Sequence, residues 1–493
     1  MQARLRCSSS QALSCFSPVV PSLTRRGILA AVACQKQEHD CRGSDSAGST
    51  DRRASLFVER YQDGTAKSYF LLDDDDSQLR VVLEEQGFFT NEISPGEEHS
   101  LRLAWLPGTI KNFILPAGFP GSVSDDYLDY MLLQFPTNVT GWMCHTLVTS
   151  SLLKAVGVGS FSGTAAAASA AAIKWVLKDG LGAVGRLFIG GRFGNLFDDD
   201  PKQWRMYADF IGSAGSIFEL CTQPYPAYFL PLASLGNLTK AVARGLKDPS
   251  FRVIQNHFAI SANLGEVVAK EEVWEVTAQL VGLALGILVM DTPGLQTSYS
   301  MLVLTWLSVR LLHLWLRFQS LSVLKFRTIN LKRARILVKS HVSHHKVPGI
   351  SDCNKEEDIL SLGRLLQPRV SFGVSMERMI GSESGQKVKA LLKLYLKEQY
   401  VLFVNKQEPG ELRFSVTFKV GATGLSVLRS LWQVYWLHEH RERWSDDILP
   451  WLEESLVIME DGFIDFLGQL KASGWDNNQI NLKVPSMLLL EGD

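Results

Sequence analysis

The sequence has no C-x-x-C pair, and its seven cysteines are an odd number, four of them (Cys7, Cys15, Cys34, Cys41) within the first 41 residues. That excludes a disulfide framework and a zinc site of ordinary ligand spacing. Cys144, Cys221 and Cys353 stand far apart and read as small apolar side chains. Charge of one sign is lacking too: the formal net charge is −1, so nothing in the balance calls for nucleic acid. No G-x-x-x-x-G-K-[ST], H-E-x-x-H or G-x-S-x-G occurs. No lysine stands in a recognisable Schiff-base setting. His341, His344 and His345 lie in a polar stretch without acidic or cysteine partners in spacing, so no metal is assigned. No catalytic residue and no cofactor follow from these residues.

Acids are missing from the first 35 residues, which carry Arg4, Arg6, Arg25 and Arg26 among many serines. This is transit-peptide composition, and Pro18 and Pro21 break the apolar run that a secretory signal needs. Residues 1–50 are therefore expected to be an organelle presequence and spacer.

A clean membrane span, roughly 20 apolar residues, is absent as well. "VTAQLVGLALGILVM" (276–290) extends N-terminally only through Glu275, Glu272 and Glu271, and "MLVLTWLSVRLLHLWL" (301–316) contains Arg310 and His313. Yet the chain between about 111 and 335 is markedly apolar and rich in small residues, which permit close helix contacts in membranes and in tight soluble bundles alike. Helical segments are expected near 124–134, 138–156, 162–178, 205–223 and 225–245, with a polar break at "KDPS" and further helices to about 320. Ser124 is the expected N-cap of the first, with Asp125 and Asp126 in its opening turn. The best candidate for a membrane hairpin is 276–316, turning at Asp291 to Gly294, with Lys325, Arg327, Lys332, Arg333 and Arg335 as a basic flank suited to a membrane surface. Two readings stay open: a membrane-associated core, or a soluble helical core with buried ionisable groups.

The flanks differ in character. Residues 51–110 open with a β-hairpin around Asp63-Gly64 and continue as a polar segment. Residues 336–385 read as a linker. Residues 386–493 read as a small α+β domain: a hairpin turning at Pro409-Gly410, an amphipathic helix with Leu425, Leu428, Trp432, Tyr435 and Trp436 on one stripe, and a last helix closed by Gly474. The two hairpins are expected to share one sheet. The fold class is thus mainly α, an apolar helical core followed by a smaller C-terminal α+β domain.

"KWVLKDGLGAVGRLFIGGRFG" (174–194) spells G-x-G-x-x-G at Gly180, Gly182 and Gly185. A dinucleotide site needs a strand before that motif. Here an alanine-rich segment, Ala165 to Ala168 and Ala170 to Ala172, brings a helix into it instead, and a helix C-terminus repels phosphate. Gly180 reads as a helix cap, and "DDDP" (198–201) as a turn and N-cap for the next helix. Lys178, Asp179, Arg186 and Arg192 around the glycines resemble a charged loop of a carrier. The lone acids Asp209, Glu219 and Glu266 lie in apolar segments and require partners or a polar cavity; Arg186, Arg205 and Lys270 are the candidate partners.

The segments "LPAGFPGSVSDDYLDY", "WVLKDGLGAVGRL", "YFLPLASLGNLTKAVA", "HFAISANLGEVVAKEE", "LKFRTINLKRA", "GATGLSVLRSLWQVYWLHE" and "ASGWDNNQINLKVP" together resemble the root UVB sensitive family, from about residue 114 to 485. The family pattern K-D-G-x-G-x-x-x-R is filled by Lys178, Asp179, Gly180, Gly182 and Arg186. The resemblance implies a plastid or membrane-associated protein linked to development, ultraviolet-B response and vitamin B6 homeostasis, without an established catalytic residue. It also implies pairing with another family member. The leading expectation is a non-enzymatic plastid protein. The alternatives are a carrier of a B6 vitamer or related molecule and a B6-dependent enzyme. Candidate ligand or polar-cavity residues are Lys178, Asp179, Arg186, Asp209, Glu219, His257, Asn263, Glu266 and Lys270.

Overall fold

The computed structural model describes residues 106–156, 199–360 and most of 367–490, together with the backbone of three strands between 57 and 84. The presequence, the alanine-rich segment and the glycine motif with Lys178, Asp179 and Arg186 lie outside the described residues.

Strands β1 (Phe57–Arg60), β2 (Ala66–Leu71) and β3 (Leu79–Glu84) form a sheet in the order β1-β2-β3, in a unit of its own. The antiparallel β2–β3 pair sets Tyr69 opposite Val81. The expected sharing of one sheet by the two hairpins is corrected: "LRVVLE" supplies the first hairpin with a third strand, and the C-terminal hairpin belongs to a different sheet.

The second unit carries the rest of the chain. Short helix α1 (Gly108–Ile114) precedes α2 (Tyr127–Val156), α3 (Pro201–Leu220), α4 (Phe229–Phe258), α5 (Leu264–Met290) and α6 (Tyr299–Ser322). Asp200 caps α3 by accepting from the Gln203 amide at 3.1 Å, with Pro201 in the first turn, as the sequence expected. Ser124 does not cap α2; its hydroxyl donates to Asp126, and the helix starts at Tyr127. Two expected breaks are absent, because α2 runs through Pro136 and α4 through Pro249. A proline removes one helix N–H. In both cases the next residue is a hydroxyl that bonds the carbonyl one turn back: Thr137 to Leu133 at 2.7 Å and Ser250 to Leu246 at 2.8 Å. The true break falls at 259–263, where Ala262 adopts φ 55°.

Two close helix contacts set the bundle's geometry. On α3 and α4, a Cβ at Gly215 would meet the Gly236 carbonyl at 2.8 Å; on α5, a Cβ at Gly282 would meet the Val139 carbonyl at 2.6 Å and one at Gly286 would meet Thr146 at 2.8 Å. Backbones can approach that closely only without side chains. At one end of the bundle Tyr127, Tyr130, Met131, Phe258, Val267 and Phe326 pack together, with Tyr127 and Phe258 edge to face at 5.3 Å. At the other end Leu147, Leu152, Leu220, Leu302 and Trp306 form a second apolar cluster.

Beyond α6 the chain forms α7 (Leu331–His344), capped by Asn330 through the Arg333 amide, and α8 (Ile350–Glu356). The stretch 341–359, read as linker, is built into the fold: His341, Cys353, Asn354 and Glu357 are buried. Strands β4 (Arg369–Phe372), β5 (Tyr400–Glu408), β6 (Glu411–Lys419) and β7 (Leu489–Leu490) make a sheet in which β6 pairs antiparallel with β5 and parallel with β4 and β7. The expected hairpin is thus present as β5–β6. Short helices α9 (Met376–Ile380) and α10 (Gly385–Leu394) precede β5.

Helices α11 (Gly424–Glu439) and α12 (Leu449–Ala472) cover this sheet. A capping box of Thr423 and Ser426 starts α11, and Gly474, at φ 86°, follows α12. The amphipathic reading of α11 is corrected. Val427 through Leu437 is buried almost all round, because α7 covers one side and α12 another, whereas Leu425 is exposed. A parallel bridge between Ile329 and Ile480 ties the tail to the segment after α6.

Gly282→Val should destabilise the protein by about 2 kcal/mol, because the new side chain meets backbone. Gly265→Ala, where nothing lies within 4 Å, should be neutral or slightly stabilising. Thermal melts of the two variants check this.

Candidate functional site

Asp209, the first of the lone acids, lies among α2, α3 and α6. Arg317 donates from Nε to its Oδ2 at 2.6 Å, Arg205 approaches within 3.6 Å, and His313 Nε2 stands 3.6 Å from Oδ1. Both arginines are about 1 % exposed. Arg317 also donates to Gln134, and His313 Nδ1 bonds the Thr137 carbonyl at 2.9 Å. A carbonyl only accepts, so the proton sits on Nδ1. Burial alone would raise the Asp209 carboxyl, but Arg317 and Arg205 outweigh it and hold it well below the usual range. Arg205 was a candidate partner from the sequence; Arg317 and His313 were not.

Glu219, ten residues along α3, pairs with Lys240 of α4. Glu266 accepts the Ala117 amide at 2.6 Å, and Lys270 donates to the Asn112 carbonyl at 2.6 Å instead of serving an acid. His257 bonds Asp126 at 2.9 Å, and the Lys325 amide donates to the same carboxylate at 2.6 Å. Burial raises the Asp126 carboxyl, but His257, Ser124 and that amide overcome it and set it at about 2. Asn263 precedes α5 without a side-chain cap bond, and its amide atoms are buried with no partner among the described residues. The structure therefore brings His257, Asn263, Glu266 and Lys270 to one end of the bundle, near the α1–α2 loop. Asp209 and Glu219 lie together along α3.

A further cluster was not anticipated. Glu357 receives Lys202 at 3.1 Å and Arg333 at 3.0 Å, all three about 1 % exposed. Asn330 also donates to it, and Lys332 pairs with Asp200 at 2.7 Å. Lys202 donates in addition to the Leu324 carbonyl and to Asn354. The expected basic flank of a membrane hairpin is thereby corrected in part. Lys332, Arg333 and Arg335 turn inward to these acids and to the Pro368 carbonyl, while Lys325 and Arg327 remain exposed.

Beside Asp209 opens a cavity of about 220 Å³, lined chiefly by His145 of α2, Lys240, Arg244 and Lys247 of α4, and Arg310 of α6. Gly141, Ala208, Gly212 and Ala243 leave the space between the four helices. Lys240, Arg244 and Lys247 recur at i, i+4 and i+7, which aligns them on one helix face. That spacing is legible in "KAVARGLK". Among the described residues, no His, Cys, Asp and Glu group could hold a metal ion.

These features define a class: an α-helical bundle held by buried ion pairs around a cation-lined cavity, joined to an α+β C-terminal domain. The chain belongs to the root UVB sensitive family. Residues 102–345 match the family model described as the vitamin B6 photo-protection and homoeostasis domain, and 346–485 match the root UVB sensitive protein C-terminal domain. Root UVB sensitive 5 of Arabidopsis thaliana is 61 % identical over 92 % of this chain and 91 % of its own length. Root UVB sensitive 2, chloroplastic, of the same plant is 27 % identical over 74 % of this chain and 81 % of its own. RUS family member 1 of Dictyostelium discoideum is 31 % identical over 57 % and 55 %. No solved structure matches the chain.

Arg333 and Lys202, against the upward push of burial, hold the Glu357 carboxyl at about 2. A carboxyl depressed in the fold contributes stability that is complete above its unfolded value and is lost as pH falls towards 2. Glu357→Gln should lower stability at pH 7 by on the order of 3 kcal/mol. It should also flatten the loss of Tm between about pH 5 and pH 2, as read by melts across that range.

Proposed function

We propose that this chain is a non-enzymatic, membrane-associated plastid protein acting in vitamin B6 homeostasis and the ultraviolet-B response. The description of the matched domain supports the B6 role. The names of the relatives support the ultraviolet-B role, and the chloroplastic name of one supports the plastid. A presequence in residues 1–50 and a boundary near 336–385 between bundle and C-terminal domain belong to the same reading, as does partnership with another family member.

One observation carries the membrane association. Helices α5 and α6 are long and apolar enough to cross a bilayer. They also turn large apolar side chains outward: Leu280 is 64 % exposed, Ile287 63 %, Leu304 59 % and Leu311 58 %. Leu280 and Ile287 on α5, like Leu304 and Leu311 on α6, are seven residues apart and so share a helix face. An apolar face of this breadth is a membrane or partner surface by ordinary surface statistics. The exposed apolar side chains run from Val276 to Leu288 on α5 and from Met301 to Phe318 on α6, on two helices joined by a short turn, which favours lipid.

The carrier reading has one observation in its favour, the cavity bordered by Asp209 and Lys240. Against a path through the acids, Asp209, Glu219 and Glu266 each have a local partner, which is what a structural role requires.

Carbonate extraction of plastid membranes tests the membrane association. The wild-type protein should stay in the pellet. A Leu280→Asp/Leu304→Asp variant, changed only on the outer face, should keep its circular dichroism and move to the supernatant. Release of the wild-type protein by carbonate contradicts the reading.

A further inference from the structure

Among the described residues, the cavity beside Asp209 is lined by more cations than carboxylates. Asp209 is already served by Arg317 and Arg205, and Glu219 by Lys240. Lys247 stands 3.9 Å from Glu275, at the far limit of an ion pair. Arg310 spends Nε on the Ser213 hydroxyl at 2.6 Å and Nη2 on the Asp209 carbonyl at 2.7 Å, both neutral acceptors. Among the described residues, neither Arg310 nor Arg244 has a carboxylate partner. Among the described residues, six cations (Arg205, Lys240, Arg244, Lys247, Arg310 and Arg317) thus surround four carboxylates (Asp209, Glu219, Glu271 and Glu275) in one region of the bundle. Cations that converge on a partly enclosed space attract an anion, and two arginines flanking two lysines suit the tetrahedral oxygens of a phosphate.

The space itself is built for a small group. Gly212 places no side chain between Ala243 and Arg310, which a Cβ there would meet at 3.6 and 3.9 Å. Ser216 and His145 add polar atoms to the lining. His145 also borders a second, mainly apolar groove of about 500 Å³, lined by Leu153, Leu283, Ile287 and Met290 among others. A ligand with a phosphate in the first space and an apolar portion in the second would use both.

We propose that this cavity binds a phosphate monoester, with Arg244 and Arg310 engaging the phosphate oxygens and the groove beyond His145 receiving the organic part. Two sources share that chemistry: a soluble phosphate ester and the headgroup of an anionic lipid. The proposal stands on the cavity and does not depend on the hairpin lying in lipid.

The test uses the full-length protein in neutral detergent micelles. Isothermal titration with inorganic phosphate and with pyridoxine 5′-phosphate, which has no aldehyde to form an imine with a lysine, reads the soluble arm. Co-sedimentation with phosphatidylcholine vesicles, with and without phosphatidic acid, reads the lipid arm. Arg244→Glu changes an exposed rim residue, and Lys339→Glu makes the same charge change on the exposed face of α7, away from the cavity.

Saturable binding of a soluble probe, weakened at least tenfold by Arg244→Glu and unchanged by Lys339→Glu, supports the site with a soluble ligand. A phosphatidic-acid-dependent gain in sedimentation with the same variant pattern supports it with a headgroup. The proposal is overturned if no probe binds, or if Arg244→Glu and Lys339→Glu weaken binding equally or not at all.

Discussion

The pairing of Asp209 with Arg317 ties three helices of the bundle together. A carboxylate and two guanidinium groups out of water are tolerable only when each finds the other, and that need joins α3 to α6. The α2 helix enters through Gln134 and through the Thr137 carbonyl on His313. Once those helices are fixed, the side of α3 that carries Gly212 and Ser216 opens onto α4 and α6, and the cavity follows. The tight backbone contacts at Gly215–Gly236 and Gly282–Val139 act in the same direction. They bring helices close enough for short polar bonds to form across the bundle.

The Glu357 cluster does a related task at the junction with the C-terminal domain. Lys202 at the start of α3, Arg333 on α7 and Glu357 after α8 meet out of solvent. The segments that mark the family come together there and nearby: "LKFRTINLKRA" supplies Arg333, and its Ile329 bridges to Ile480 of "ASGWDNNQINLKVP". "HFAISANLGEVVAKEE" meets "LPAGFPGSVSDDYLDY" through His257–Asp126 and Glu266–Ala117. Four of the seven segments that carry the resemblance thus meet one another in the fold.

Much of the architecture was legible. The helical core, the Asp200 cap, the β5–β6 hairpin and the Gly474 cap follow from local signals, namely apolar periodicity, capping chemistry and turn residues. The misreadings share a cause. The expected breaks between 134 and 138 and at "KDPS" are absent because α2 and α4 run through Pro136 and Pro249, held by packing that local rules do not weigh. Arg333, Arg335 and His341 look like surface or linker residues in the sequence because their partners, among them Glu357, the Pro368 carbonyl and Asp465, are distant along the chain. For the acids, the sequence demands partners and offers Arg186, Arg205 and Lys270 without assigning them; of these Arg205 approaches Asp209. The sequence misses Lys240 for Glu219, since a pair 21 residues apart on two helices leaves no spacing to read. The Lys240, Arg244, Lys247 row was the one available signal of the cavity.

The central claim is that Asp209 is a structural clamp whose charge is consumed by Arg317. A double-mutant cycle of Asp209→Asn and Arg317→Met, followed by denaturant unfolding, measures it most directly. The account predicts that each single change destabilises by about 3 kcal/mol, because it strands a buried partner, and that the double variant loses far less than the sum. Single changes that leave stability untouched, or losses that simply add, would contradict it.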